Sequence, residues 1–398
     1  MDTWQVLHRT QRGWTTEALV FVLYVALAVG AVLSQYLKTA AHPGDVYPEY
    51  NGYLILKSAF GHLITHRNLY DWYLKEHWDL YKYSPTFAVF FAPLAWLPDW
   101  LGLGVWNVIN ASSLFFAIQS LPGMRSSVKA AVLVYSCLAL LVSLQHFQSN
   151  GVMASLMILS FSCLLREHIL LATLCVVVSM FIKIFGVFAL VLFLLFPQRS
   201  KALLFALLWA IGLASVPLLF ISSSQLVWQY ANWLHLLQSD HAASDGISMI
   251  RWMQHWFGIA GHKTLIQGTG VFLLCLPLLK RHAYETCVFR LGMLSSVLMY
   301  VIIFNHKAET ATFVIAVCGC ALWYYTSRNT WLDTCLILAV FLFTCLSPTD
   351  LFPPWLRKAF FKPYALEVVP VTCMWIKLNY DLLWKGGKTE AITGESQD

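Results

Sequence analysis

The sequence contains little charge: Asp, Glu, Lys and Arg make up 12% of its 398 residues, against roughly 25% in soluble globular domains. Hydrophobic residues make up 59%, and apolar runs recur from one end to the other without any stretch of soluble composition. This pattern excludes a set of soluble domains. It predicts one membrane domain over residues 1–384, followed by a short cytoplasmic tail at 385–398.

Several signatures of familiar chemistry are missing. The sequence has no glycine-rich phosphate loop, no Gly-x-Ser-x-Gly elbow, no His-Glu-x-x-His zinc helix and no Asp-x-Asp pair. A cytosolic nucleotide-sugar enzyme is therefore disfavoured. Because no acidic cluster suited to a metal is visible, we expect that any reaction at this protein's site uses neither a metal nor a cofactor. The ten cysteines show no metal spacing or disulfide framework. The net charge of +6 is spread over short loops, so nucleic acid is not an expected partner.

The apolar runs predict an all-α protein, a polytopic transmembrane helix bundle. A hydrocarbon core of about 30 Å needs about 20 apolar residues per helix, so we expect about 11 to 13 spans. Ten are predicted at 17–37, 101–121, 130–145, 151–165, 201–223, 266–280, 286–304, 310–326, 330–347 and 364–380. The run 168–196 contains Lys183 and Gly186, which predicts two half-length helices. The short run 87–98 predicts a re-entrant segment.

Lys and Arg in the short loops indicate the orientation. A cytoplasmic N-terminus, with the first span retained as an anchor, leaves most of these cations inside, and Arg357, Lys358 and Lys362 break the pattern. Segments 38–84, 145–150, 224–265, 305–309 and 348–362 then share the outer face. We expect amphipathic surface helices in the loops 38–84 and 224–265. In the first of them, Tyr53 and Phe60 belong to the apolar face, and His62 belongs to the polar face.

Two acids, Asp45 and Glu49, follow the first span. A carboxylate at the membrane surface can act as a general base on a sugar or lipid hydroxyl. A turn cap by Asp45, and a place for Glu49 in the first turn of a helix, explain the same residues without any catalytic role.

Lys183 is a cation within an apolar stretch, which costs about 3 kcal/mol on insertion scales and indicates function. Binding of an anion such as a lipid phosphate is one explanation, and snorkelling to the interface is the other. The segment with Asn305, His306, Lys307 and Glu309 is either a second group of side chains suited to binding phosphate or an ordinary hydrated loop. Residues 145–150, which include Gln148 and Asn150, form a polar interruption between two apolar spans. They either contact a ligand or cap the helix that follows. Asp240 and Arg251 bind a hydroxylated acceptor or belong to a solvated loop.

Several short motifs together resemble glycosyltransferase family 87, integral-membrane enzymes of the GT-C class that use polyprenyl-phosphate-linked hexose donors. The motifs are Glu49-Tyr50-Asn51-Gly52-Tyr53, Asn68-Leu69-Tyr70, Tyr81-Lys82-Tyr83-Ser84-Pro85, Ala92-Pro93-Leu94, Gln148-Ser149-Asn150, Ile182-Lys183-Ile184-Phe185-Gly186 and Asn305-His306-Lys307-Ala308-Glu309. Two further stretches, 347–353 and 379–382, resemble the branch of the family common in Bacteroidetes-type bacteria.

The resemblance implies a GT-C helix bundle in the bacterial inner membrane with a periplasmic active site. It implies an inverting hexosyltransferase, with mannose as the family's best-known sugar, that acts from a polyprenyl-phosphate-linked donor onto a lipid or glycan acceptor. Glu49 matches the position of the catalytic acid, where many members carry Asp, and Asp45 is its rival. Lys183, His306 and Lys307 are implied to bind the donor phosphate.

The predicted substrate-binding residues are Asn51, Tyr83, Gln148, Asn150, Asp240, Arg251 and Glu309. A transporter or flippase of lipid-linked sugars is the alternative function, although such proteins usually show paired broken helices in two related halves. A catalytically silent scaffold for envelope assembly is a third possibility. Membrane lipids are expected partners in all three cases.

Overall fold

The computed structural model describes residues 3–259, 261–327 and 329–384, with side chains from Thr16 onward. Within these residues every regular element is helical and no strand occurs, which confirms the predicted all-α class. The predicted cytoplasmic tail, 385–398, lies outside the described residues.

The first half of the chain forms nine α-helices. They are α1 (Thr3–Ala41), α2 (Asn51–Ile64), α3 (Pro85–Phe90), α4 (Ala92–Ala95), α5 (Asp99–Gln119), α6 (Ser126–Gln145), α7 (Asn150–Leu165), α8 (Ile169–Ile182) and α9 (Arg199–Ser215). A 3-10 helix, Ile184–Leu195, lies between α8 and α9, and a 3-10 turn, Val216–Leu219, extends α9.

The second half forms eight more. They are α10 (Ser223–Ala243), α11 (Met249–Phe257), α12 (Lys263–Cys275), α13 (Cys287–Ile303), α14 (Phe313–Thr326), α15 (Trp331–Val340), α16 (Pro354–Leu356) and α17 (Val369–Trp384). Short 3-10 turns stand at Leu276–Leu279, Arg281–Ala283 and Thr310–Thr312, and π-helical turns at Phe341–Leu346 and Arg357–Phe361.

Each predicted span coincides with a helix, although the last begins at Val369 rather than at residue 364. Four helices are long and apolar enough to cross a bilayer: Thr16–Ala41, Asp99–Gln119, Ser126–Gln145 and Arg199–Leu219. Seven further apolar helices are shorter, so the described residues contain eleven apolar helices in all. The run 168–196 breaks at Lys183, as its composition predicts. The predicted re-entrant run forms the short helices α3 and α4, and its depth in the membrane stays a prediction.

The centre of the bundle is the pair α13 and α14, whose side chains are almost all buried. Gly319 allows this close approach, because a β-carbon there would lie 2.8 Å from the carbonyl oxygen of Ser295. On the periphery, α9 exposes Leu203, Leu207 and Ile211, each more than half accessible. A row of exposed leucine and isoleucine is stable when it faces lipid rather than water, which agrees with a membrane helix bundle.

The first outer segment departs from its prediction in one respect. In α2, Tyr53 and Phe60 are buried as expected, but His62 is also buried, with 6% of its surface exposed. Its ring stacks on Tyr73 and its Nε2 lies 2.9 Å from Glu76 Oε2. The assignment of His62 to the polar face was therefore wrong, because the segment after α2 folds back and covers it.

Candidate active site

A cavity of about 780 Å³ opens at one end of the bundle. Its walls come from the segment between α1 and α2, residues 78–83, the connection from α6 to α7, the break after α8, the end of α10 and the segment between α13 and α14. Four of the five segments predicted to share the outer face thus meet around one space.

Most of the predicted site residues line this cavity. They are Asp45, Glu49, Asn51, Tyr83, Gln148, Lys183, Asp240, His306, Lys307 and Glu309. Asn150 is fully buried behind the wall. Arg251 lines a second cavity of about 330 Å³ instead. That cavity shares Lys307 and Glu309 with the first, so Arg251 adjoins the site without facing the main space.

Lys183 occupies the break between α8 and the following 3-10 helix, in extended conformation with φ −139° and ψ 125°. Its ammonium donates hydrogen bonds to Asn150 Oδ1 at 2.7 Å and to Gln148 Oε1 at 3.3 Å. It also lies 5.9 Å from the centre of the Tyr83 ring. It forms no ion pair with any carboxylate of the described residues. The cavity wall therefore carries a cation that has amide partners but no carboxylate within ion-pair distance, and Glu309 is the acid whose charge acts on it.

Gln148 connects this cation to an acid. Its amide nitrogen donates to Glu309 Oε2 at 2.7 Å, while its amide oxygen accepts from Lys183 and from Asn150. Asn150 also donates to the carbonyl of Ala311 at 2.8 Å. The motifs at 148–150, 183 and 305–309, separate in the sequence, thus form one hydrogen-bonded network.

Asp45 and Glu49 lie on the connection between α1 and α2, at the exposed rim of the cavity. The backbone N–H of Glu49 donates to Thr39 Oγ1 at 3.1 Å, which fixes the main chain there. Neither carboxylate has a hydrogen-bond or ion-pair partner among the described residues. Both acids are therefore available to a ligand in the cavity.

The other two predicted phosphate ligands differ from Lys183. Lys307 is paired with Asp240, with Nζ 2.9 Å from Oδ1, so its charge is largely neutralised. Burial, reinforced by the neighbouring His241 and Lys307, lowers the pKa of His306 to about 4. His306 is thus neutral near pH 7 and offers a hydrogen bond rather than a positive charge.

Tyr83 is the aromatic wall beside Lys183. Burial raises the pKa of its hydroxyl to about 12, although a hydrogen bond with Ser149 acts in the opposite direction. The phenol is therefore protonated at neutral pH and serves as a hydrogen-bond donor or a ring surface.

Several cavity residues were missed by sequence reasoning. Lys82 forms an ion pair with Asp79 at 2.8 Å, and Trp78 and His146 complete the lining. Lys82 lies inside the matched motif Tyr81-Lys82-Tyr83, which was a usable signal. Asp79 carried no such signal, because its position depends on how the segment 66–84 folds against α2. His146 lies within the predicted polar break 145–150 but was not itself singled out.

One group among the described residues is arranged to hold a metal ion. His62, Glu76 and His77 have ligand atoms within 4.8 Å of one another. They do not line the main cavity, so this group does not bear on the expectation that the reaction uses no metal, which stays a prediction.

An apolar helix bundle with a cavity at one end, acids at the cavity rim and a cation in its wall fits a polytopic membrane enzyme. The family model of glycosyltransferase family 87 matches residues 81–348, about two thirds of the chain. The protein therefore belongs to glycosyltransferase family 87 and is a membrane glycosyltransferase, as its motifs predict. No curated protein matches the chain.

Proposed function

We propose that this glycosyltransferase transfers a hexose, mannose in the first instance, from a polyprenyl-phosphate-linked donor to a lipid or glycan acceptor with inversion. One observation supports this most directly. The cavity holds a cation with no carboxylate within ion-pair distance, Lys183, together with two carboxylates without partners among the described residues, Asp45 and Glu49. A leaving phosphate and an acceptor hydroxyl need these two kinds of group, respectively.

The donor phosphate binds beside Lys183 in this proposal. Negative charge develops on the phosphate as the bond between the anomeric carbon and the phosphate oxygen breaks. A preorganised cation stabilises that charge without reorganisation during the reaction. Lys183 is suited to this because its hydrogen bonds to Gln148 and Asn150 hold the ammonium in place. Neutral His306 donates a hydrogen bond to the phosphate. Lys307 contributes its charge only when the phosphate displaces Asp240 as its ion-pair partner.

The acceptor hydroxyl is activated by Glu49, with Asp45 as its rival. The carboxylate takes the hydroxyl proton as the acceptor oxygen attacks the anomeric carbon from the face opposite the phosphate. The products are the glycosylated acceptor, the polyprenyl phosphate and a protonated carboxyl group, which releases its proton to water. No step of this scheme calls on a metal or a cofactor.

The second cavity offers the acceptor a place next to the reaction. It contains Arg251, Lys307 and Lys362 together with Glu309, which lines both cavities. The guanidinium group of Arg251 has no hydrogen-bond or ion-pair partner among the described residues. We assign it, with Asp240 and Glu309, to contacts with the acceptor rather than with the donor.

We further propose that the cavity faces the periplasm from the bacterial inner membrane. Helix α6 ends at the cavity with Gln145, so Arg125 and Lys129 at its start lie at the opposite end of the bundle. Arg166, at the far end of α7, donates to the carbonyl of Ser120 beside them. Cations gather in short cytoplasmic loops, which favours a cytoplasmic location for that end.

The test is sugar transfer in proteoliposomes that contain a polyprenyl-phosphate hexose, with wild type, Glu49→Gln and Asp45→Asn. We expect the variant of the true base to lose at least about 100-fold in rate, the lower range for a general base. Asp71→Asn is the matched control, because Asp71 is an exposed acid of the same loop outside the cavity. Full transfer by both cavity variants contradicts the proposal. Movement of donor lipid across the bilayer without sugar transfer supports the flippase instead.

A further inference from the structure

The segment between α2 and α3 carries a group of potential metal ligands that the proposed reaction does not use. His62 lies in the last turn of α2, and Glu76 and His77 lie in a turn that begins at Tyr73. The three ligand atoms lie within 4.8 Å of one another. Both histidines are buried, with 6% and 1% of their surfaces exposed.

We propose that His62, Glu76 and His77 bind one divalent transition-metal ion of the zinc type. Two imidazoles and one carboxylate are a donor set that zinc uses with an open fourth position for water. Imidazole ligands also favour zinc-like ions over magnesium and calcium, which prefer oxygen ligands alone.

The surroundings hold both histidines in orientations that suit ligation. The Nδ1 of His77 lies 2.7 Å from the carbonyl oxygen of Asp79, so Nδ1 carries the proton and Nε2 keeps its lone pair. A backbone carbonyl is a common outer partner of a metal-binding histidine. The ring of His62 is fixed by stacking on Tyr73, with the ring centres 3.7 Å apart. Its Nε2 points toward Glu76 Oε2 at 2.9 Å.

The carboxylate supplies the adjustable part of the site. Zinc–ligand bonds of about 2.1 Å place the ligand atoms roughly 3.5 Å apart, whereas the three atoms lie within 4.8 Å of one another, so a bound ion would draw them closer together. The Glu76 side chain is 41% exposed and can rotate to do this. Glu76 also lines a cavity of about 310 Å³ on the surface of α2, which gives the ion and its water an entrance. Arg67 approaches the other carboxylate oxygen only to 3.8 Å.

The site would tie the end of α2 to the wall of the main cavity. His77 is followed directly by Trp78, Asp79, Leu80, Lys82 and Tyr83, which all line that cavity. The N–H of Trp78 already donates to Asn51 Oδ1 at 3.0 Å. A bound ion would hold this turn in the same place, and its role would be to position residues rather than to take part in the reaction.

The test measures metal binding and is independent of transferase activity. Protein purified in detergent without a polyhistidine tag is stripped with EDTA, incubated with Zn²⁺ and desalted, and zinc is counted by mass spectrometry. We expect one zinc per chain in wild type, and an affinity at least about tenfold weaker in Glu76→Gln and His77→Gln. Glu76→Gln changes an exposed side chain and keeps a hydrogen-bond partner for His62, so it tests the site without removing a buried group.

His66→Asn is the matched control. His66 is an exposed histidine close to the group, and Asn tolerates its left-handed backbone, with φ +58°. A second measurement is the temperature of unfolding, which Zn²⁺ should raise less in Glu76→Gln than in wild type and in His66→Asn. The proposal is overturned if wild type retains no more zinc than Glu76→Gln, or if both variants bind it as tightly as wild type.

Discussion

Replacement of Lys183 by methionine tests the electrostatic core of the proposed site. The change removes one positive charge and two hydrogen bonds, to Asn150 at 2.7 Å and to Gln148 at 3.3 Å, while it keeps a side chain of similar length. Since no described carboxylate lies within ion-pair distance of Lys183, its charge can act directly on a bound phosphate. Loss of one such preorganised donor typically lowers kcat by roughly 10²–10³, equivalent to about 3 to 4 kcal/mol.

The stability of this variant should change much less than its activity. Asn150 Oδ1 loses its donor, which costs about 1 to 3 kcal/mol for a buried polar atom. Removal of a cation from a partly buried position offsets that cost, because a charge in such a place is poorly solvated. We therefore expect Lys183→Met to remain folded, with a net change in the free energy of unfolding of no more than about 2 kcal/mol.

The assay compares kcat for sugar transfer in proteoliposomes with the temperature of unfolding in detergent. Lys75→Met is the matched control, because Lys75 is an exposed lysine of the outer loop 38–84 that does not line the cavity. Lys183→Arg should recover part of the rate, since it keeps the charge. A Lys183→Met enzyme with kcat within threefold of wild type would refute the assignment of Lys183 to the donor phosphate.

Two further predictions concern the framework around the site. Glu367 lies in the segment before α17 and is buried, with 1% of its surface exposed. Its carboxylate accepts a hydrogen bond from Thr310. Burial raises the pKa of this carboxyl from 4.5 to about 7. The folded protein therefore holds this proton more tightly than the unfolded chain, so stability falls as pH rises from 4.5 to 7, by about 3 kcal/mol in total. Glu367→Gln should remove this pH-dependent loss of stability. The unfolding temperature of the variant should therefore exceed that of wild type by an amount that grows between pH 5 and pH 8. A difference that does not depend on pH contradicts the raised pKa of Glu367. Gly186→Ala should destabilise the protein by about 1 to 3 kcal/mol, because its β-carbon would lie 2.7 Å from the backbone of Ser179. Gly30→Ala is the control, since nothing lies within 4 Å of a β-carbon there, and equal unfolding temperatures for the two variants contradict the packing argument.

The helices were predictable because their causes are local. Long apolar runs must satisfy their own backbone hydrogen bonds in lipid, and the α-helix does this within a single segment. The break at Lys183 was predictable for the same reason, since a cation and a glycine interrupt an apolar run at one point. The family was also predictable, because its motifs are short and contiguous. The roles of Glu49, Asp45 and the phosphate ligands stay predictions.

Other features depended on contacts between distant segments. The pairing of Lys307 with Asp240 weakens a predicted phosphate ligand, and neither residue indicates the other in the sequence. The low pKa of His306 follows from burial and from neighbouring cationic groups, which composition does not reveal. Arg251 was grouped with the other substrate ligands, but the fold puts it in a neighbouring cavity.

By itself, the sequence determined that this is an all-α membrane protein of glycosyltransferase family 87, with its polar residues grouped in a few short segments. Hydrophobicity and local motifs carry that information, since each acts within a single run of the chain. Only the tertiary structure decided which of those polar groups remain unpaired and which neutralise one another. It also decided that His62, Glu76 and His77 meet. Such outcomes depend on distances and burial, which are set when helices far apart in the chain pack together.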